Sequence, residues 1–527
     1  MLRKKRGFMM LACAMMIASA LSACNKTNNE GAASSQSSSS SSGQSSESAA
    51  AEPLKDVTLK FYFGGDKPAG ADAVWAAISE KYKDILHAKF EVKFIPWGDY
   101  SNKLLVMAAS GDKWDLNFDA EWLGYSQMIG KNAYLPLNEL LPKYAPELNA
   151  KYETSGALEA ATVNGQVLSL PWTMKQNHRP FIQWRKDLAD AQGFGLPHNG
   201  IKTMEELDAF LLKAKETNSD KRVFNIGFTG GYPYNIGQFM MLKYGLADLN
   251  FHGLVFDIND PAFKIIPFEQ TEAFKEAAAW AKKWVDDGIM SKDAMVDKTD
   301  VNTLFGNGQV FSQYSTHEHS SQTNNYPDKA IVTEASMLYP DKPFYNRSPL
   351  ANVVGINKNS PNPERVLMFL NLLETDRELY DMVMYGVEGV NYQVKDEAAT
   401  LPDGVDKDNP GNKAYLGWAS QWAFWKPQFI RPTEVNPAGF WQAESDFANQ
   451  PNNINNPLGG LFFDPEPIKN ELAQRDTVQD EFGKPILAGL KTDIDGYIAK
   501  QQAAGLDNII TELQKQVDAF LASKSDK

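Results

Sequence analysis

Apolar and polar positions alternate along Val57-Thr-Leu-Lys-Phe-Tyr-Phe63, the period-two pattern of a strand. After Gly64-Gly65-Asp66 the period changes, and Val74, Ile78 and Tyr82 recur at helical spacing within 72–82. A second strand, 90–95, stops at Pro96-Trp97-Gly98-Asp99. A helix over 100–109 closes at Ser110-Gly111-Asp112, and a third strand, 114–118, runs into Asp119-Ala-Glu121-Trp122. Strand, helix and strand at this spacing predict parallel βαβ units. In such sheets ligands collect outside the carboxyl ends of the strands. The loops at 64–66, 96–99 and 119–122 all lie at such ends and carry Asp, Trp and Glu.

The stretch 163–194 reads differently. Asn164-Gly165 supplies the positive backbone angles of a hairpin turn. Val167-Leu-Ser-Leu is a short apolar run ended by Pro171, which lacks the ladder donor. Trp172 follows, then a second strand near 181–184 and a helix from Arg185 that Gly193 and Gly195 terminate. One reading is a crossing from one sheet to another past an exposed aromatic; the other is a hairpin and strand inside a single domain.

Further on, Thr203 and Glu206 form a capping-box pattern ahead of a helix. Phe224-Asn-Ile-Gly-Phe is a buried strand leading to the aromatic loop 229–234. A long helix over 271–287 carries Phe274, Trp280 and Trp284. Strands follow near 309–314 and 352–356, then one helix over 363–385. From Val478 the spacing of Leu487, Leu490, Ile494 and Ile498, and then of Ile509, Leu513, Val517 and Leu521, predicts long amphipathic helices.

The N-terminus follows another logic. Arg3, Lys4, Lys5 and Arg6 precede an apolar run, Phe8–Leu21, too short to span a bilayer as a mature helix. Leu21-Ser22-Ala23-Cys24 then resembles a lipobox, after which Cys24 is acylated and becomes the mature N-terminus. Residues 1–23 are thus read as a lipoprotein signal peptide. Residues 24–53, with eleven serines between 25 and 53, form a disordered tether that cannot bury enough surface to order itself. Losing the four basic residues takes the net charge from −14 to −18, which argues against nucleic acid or an anionic membrane surface as a partner. The only other cysteine, Cys13, leaves with the signal peptide, so no disulfide or cysteine metal site is expected.

Several motifs occur in order: Gly111-Asp-Lys-Trp-Asp-Leu, Leu135-Pro-Leu, Val163-Asn-Gly-Gln, Trp184-Arg-Lys-Asp-Leu, Phe305-Gly-Asn-Gly-Gln-Val, Ile356-Asn-Lys-Asn-Ser-Pro-Asn-Pro-Glu-Arg-Val and Glu374-Thr-Asp-Arg-Glu-Leu-Tyr. Over about 55–460 the chain resembles the family 1 extracellular solute-binding proteins of ABC importers, the group of maltose-binding protein. The tail and the Gly386–Tyr392 turn resemble its Gram-positive lipoprotein branch, which adds a C-terminal domain of unknown function. The resemblance implies an α/β, two-lobed periplasmic-binding-protein-like fold (type II), each lobe a mainly parallel sheet flanked by helices. It implies an N-terminal lobe of 54–172 plus about 296–345, a C-terminal lobe of 173–295 plus about 346–460, and a helical extension over 461–527. Chain crossings are expected near 170–176, 290–300 and 340–350. The implied protein is a monomeric, lipid-anchored carrier on the extracellular face of the cell membrane. It takes a small-molecule solute, an oligosaccharide in many relatives, to permease subunits, with neither catalysis nor a cofactor.

Sugars need aromatic faces for their C–H surfaces and polar groups for their hydroxyls. Trp97, Asp99, Asp119, Glu121, Trp122, Trp172, Tyr232, Tyr234, Gln313, Tyr314 and Arg347 meet that need at expected cleft loops, with packing in the core or on the surface as the alternative for each. Trp418, Trp422 and Trp425, at helical spacing, read as core more readily than as cleft. The rival functions are a membrane-anchored glycoside hydrolase, using carboxylates among Asp115, Asp119 and Glu121, and a non-transport carbohydrate sensor. His317 and His319 lack a third ligand in register, and Asp403, Asp406 and Asp408 lack the glycine and terminal glutamate of a calcium loop, so no metal is expected.

Overall fold

The computed structural model describes residues 54–225, 235–249, 251–293, 295–296, 301–316, 331–407, 409–416, 422–433, 436 and 438–525. The signal peptide, tether and Cys24, together with Tyr232, Tyr234, His317, His319, Asp408 and Trp418, lie outside them.

Two sheets organise residues 54–527. In the first, the strands run in the order Ala88–Ile95, Val57–Gly64, Leu116–Asp119, Val353–Ile356 and Leu170–Pro171. The first three are parallel, as the βαβ spacing predicts, and the last two join antiparallel. All four residues of Leu116–Asp119 are buried, as a strand covered on both faces requires. The second sheet is mixed, in the order Thr333–Met337, Phe181–Arg185, Val310–Ser315 and Arg222–Asn225. Only Val310–Ser315 and Arg222–Asn225 pair in parallel there. Separate cores form, one around Phe61, Trp75, Phe369 and Phe424, the other around Trp184, Phe224, Phe274 and Trp284.

The middle segments are allotted to the sheets in the reverse of the expected way. Val310–Ser315 and Thr333–Met337 flank Phe181–Arg185 in the second sheet, whereas Val353–Ile356 inserts between two strands of the first. Helices Pro363–Thr375 and Arg377–Tyr385 follow it into the first core. The crossings shift accordingly. The chain passes between the sheets at 172–180 and returns at 338–352. It passes again after Phe424, which is in the first core, and before Phe447, which packs on Phe181 of the second sheet. No passage occurs near 290, where Ile289 and Met290 stay in the second core.

Strand register locates the cleft. In the first sheet Val353 pairs with both Asp119 and Pro171, so both crossings meet that sheet at the carboxyl end of Leu116–Asp119. In the second, Phe181 pairs with Ser315 and Met337, so the incoming crossing meets it at the carboxyl ends of those strands. The loops at the carboxyl ends of both sheets therefore flank the connecting segments.

The tail packs on the second half. Leu458, Leu472, Ile509, Leu513 and Val517 share a core with Leu254 and Phe256. The predicted helix through Leu487 and Ile498 is broken. Gly489 takes φ 73° and lies so close to the helix Glu272–Asp286 that a Cβ would sit 2.4 Å from the Ala281 carbonyl oxygen. The helix predicted over 363–385 also splits, at Asp376, whose Oδ1 accepts from the Leu379 N–H at 3.0 Å and caps a second helix.

Candidate functional site

Pro96 ends its strand, and Trp97 opens the helix Trp97–Ser110. The Trp97 ring lies over Gly64, where an added Cβ would come within 2.1 Å of it, so the strand must end in glycine for the ring to lie there. Trp97 meets Trp122 at 5.9 Å and Trp422 at 6.5 Å between ring centroids, and Trp122 meets Trp422 at 5.6 Å. Trp122 is 42 % exposed; its Nε1 donates to the Ala351 carbonyl at 2.7 Å, and the Glu121 N–H donates to the Leu350 carbonyl at 2.9 Å. The return crossing thus holds the Trp122 loop in place. Asp99 is exposed in the first helical turn, where a carboxylate suits the N-terminal partial charge.

A second aromatic group continues from the first. Trp172 Nε1 donates to the Trp422 carbonyl at 2.9 Å, and its ring lies 4.6 Å from that of Trp425, which lies 4.4 Å from that of Trp441. Six tryptophans therefore run in sequence along the carboxyl-end loops and crossings. Two ion-pair groups hold the segment that carries Trp422 and Trp425. Lys426 pairs with Glu374 at 2.7 Å, and Glu374 also accepts from Lys151. Arg431 donates twice to Asp381, at 2.7 and 3.0 Å. Lys426 and Lys151 keep the Glu374 carboxyl below its usual range against the opposing effect of burial.

Of the expected polar ligands, the structure brings Glu121 and Arg347 to this wall. They face one another at 3.8 Å, each about three quarters buried, and Arg347 Nη1 lies 3.1 Å from His178 Nδ1. Burial raises the Glu121 carboxyl and lowers the Arg347 guanidinium, each opposed by the other's charge.

Asp119 does not line the cleft. It is 1 % exposed; its Oδ2 accepts from Tyr134 Oη at 2.5 Å and its Oδ1 from the Ala120 N–H at 2.8 Å. Burial pushes its pKa up to about 7. Its role here is to close a buried network through Tyr134, Asn117 and Trp114. Asp115 is buried too: it accepts from the Lys60 N–H at 2.8 Å and from Ser360 Oγ at 2.6 Å, tying the turn before helix Pro363–Thr375 to the sheet. Glycoside hydrolysis needs two carboxylates facing substrate across a cleft, and two of the three candidates are consumed inside the first core.

In the second sheet Gln313 is 2 % exposed and donates to Gln183 Oε1 at 2.9 Å, so it too is an interior residue. Tyr314 is half-buried; its hydroxyl bonds Gln238 and its ring lies 5.7 Å from Phe239. Burial holds the Tyr314 phenol well above its usual range. Trp425 is 5 % exposed, as its core-like helical spacing predicts, while the half-buried Trp441 reaches it from the helix Phe440–Ala448. Among the described residues no group of three His, Cys, Asp or Glu is placed to hold a metal, and no helix is long and apolar enough to cross a membrane.

A family model described as bacterial extracellular solute-binding protein matches residues 77–400, and one for a domain of unknown function, DUF3502, matches residues 457–522. A carbohydrate ABC transporter substrate-binding protein of Streptococcus pneumoniae serotype 4 (strain ATCC BAA-334 / TIGR4) is 24 % identical over 495 residues, 90 % of this chain and 93 % of its own. Lipoprotein LipO of Bacillus subtilis (strain 168) is 24 % identical over 344 residues, 61 % of this chain and 64 % of its own. The crystal structure of the N-glycan transport solute-binding protein NgtS from Streptococcus pneumoniae superposes with a TM-score of 0.70 at 22 % identity, covering 89 % of this chain and 99 % of that one. That protein has also been solved with Man1GlcNAc and with Man5GlcNAc.

Proposed function

Because the chain belongs to the bacterial extracellular solute-binding protein family, we propose that it closes two lobes on an oligosaccharide and delivers it to the permease of an ABC importer. In this reading residues 1–23 are removed and the protein is held by a lipid on Cys24 through the serine-rich tether. One lobe comprises 54–171 with about 353–424, the other 181–337 with the helical tail.

The observation that carries the reading is the row of tryptophans Trp97, Trp122, Trp422 and Trp172 at the carboxyl-end loops beside the crossings. Rings open to stacking, with one charged pair, Glu121 and Arg347, suit a site that holds neutral polyols.

The test is a glycan-array screen of the purified chain, with titration calorimetry on the hits and product analysis over many hours. Saturable binding without turnover is the expected result. Cleavage beyond one equivalent would replace transport with hydrolysis, and an array without a single hit would remove the oligosaccharide. Cys24→Ala is expected to release the protein from the membrane fraction; retention there would remove the lipid anchor from the proposal.

A further inference from the structure

We infer that the hollow beside Trp441 is an outer subsite for one further sugar ring of the same ligand, so that the chain selects extended over short oligosaccharides. The inference rests on the oligosaccharide reading above.

The hollow has a volume of about 260 Å³, just under the usual range for drug-sized sites, roughly 300–1,000 Å³. That leaves room for a ring and a few waters. Trp441 packs through the buried Trp425 onto Trp172, so the half-buried rings of Trp172 and Trp441 lie on either side of it, and a chain held at Trp172 has Trp441 and the hollow next along the wall. Met174, Ile430 and Pro432 supply further apolar wall, and Gln442 and Ser445, three apart on the helix Phe440–Ala448, supply polar groups. Asp446 accepts from Gln442 Nε2 at 2.8 Å, which fixes the amide. No charged side chain is among the described residues lining the hollow, which suits a neutral ring.

The walls come from three separately anchored segments. Met174 lies on the first crossing. Ile430 and Pro432 flank Arg431, which Asp381 of the first core holds. The helix carrying Trp441 is fixed to the second sheet where Phe447 packs on Phe181, 5.8 Å between centroids. A ring filling the hollow therefore touches parts tied to both sheets, and contacts that span both lobes favour the closed state.

The test compares wild type, Trp441→Ala and Ser445→Phe by calorimetry against length pairs: Man1GlcNAc with Man5GlcNAc, maltose with maltoheptaose, and cellobiose with cellohexaose. Ser445→Phe fills the hollow while leaving every tryptophan, so it stays informative if Trp441→Ala unfolds, which a melting curve shows. The expected result is a loss of about tenfold or more for the longer member of a bound pair and no change for the shorter, the scale of one lost stacking contact. Equal loss for both members, or no loss for the longer in Ser445→Phe, would overturn the subsite and leave the binding function intact. Wild type binding no member of any pair, nor any glycan on the array, would overturn the function itself and this subsite with it.

Discussion

Asp119→Asn separates a structural carboxyl from a ligand-binding one. The Asp119 pKa rises from 3.8 to about 7 because its carboxyl is buried. The folded state therefore binds a proton that the unfolded chain releases, and the stabilisation is complete below the unfolded value. It declines as pH rises from 3.8 and is lost once pH passes about 7. At 1.36 kcal/mol per tenfold, that displacement corresponds to up to about 4 kcal/mol of stability lost between pH 4 and pH 8. Asparagine is the neutral isostere of the protonated acid. Its Oδ1 can accept from the Ala120 N–H, and its Nδ2 can donate to the Tyr134 oxygen in place of the bond that Tyr134 now makes to Asp119. Chemical unfolding of wild type and variant across pH 4–8 isolates this one group, since every other titration cancels in the difference. The difference should move in favour of Asp119→Asn as pH rises, by about 1 kcal/mol or more at pH 8. Parallel curves would refute the raised pKa and with it the placement of Asp119 in a buried network. Glycan affinity should be unchanged in this variant.

Trp422→Ala removes the ring shared by Trp97 and Trp122 and should cost about 1–3 kcal/mol of binding, or about tenfold to a hundredfold in Kd, measured by calorimetry on an array hit. Arg475→Met leaves Glu269 buried without its partner. Both side chains are 0 % exposed and bond at 2.7 and 3.1 Å, so denaturant unfolding should show a loss of about 3–5 kcal/mol, much of it recovered in Glu269→Gln/Arg475→Met. If the lobes close on ligand, small-angle scattering at saturation should give a smaller radius of gyration than for the free protein.

The sequence by itself determined the elements whose cause is local. The alternation at 57–63, the helical spacing at 72–82 and the capping box at Thr203 and Glu206 each act within a few residues, and the structure forms them there. Asn164-Gly165 turns a hairpin, with φ 50° and 76°. The βαβ order also placed the loops that carry Trp97 and Trp122 at the carboxyl ends of parallel strands, where the structure has them. Tertiary structure alone decided which sheet each later strand joined. Val353–Ile356 is an apolar run buried throughout, and Val310–Gln313 is buried on both faces although Ser312 and Gln313 are polar, so neither carries a periodicity to name its neighbour. It alone buried Asp119 and Gln313 while leaving Trp122 exposed. Whether a polar side chain meets water or an interior partner depends on what is packed above it, and Tyr134 and Gln183 reach those sites from elsewhere in the chain. It alone set Trp441 against the buried Trp425 at the end of an aromatic row, because ring-to-ring contact is set by where helices are anchored and not by the residues between them.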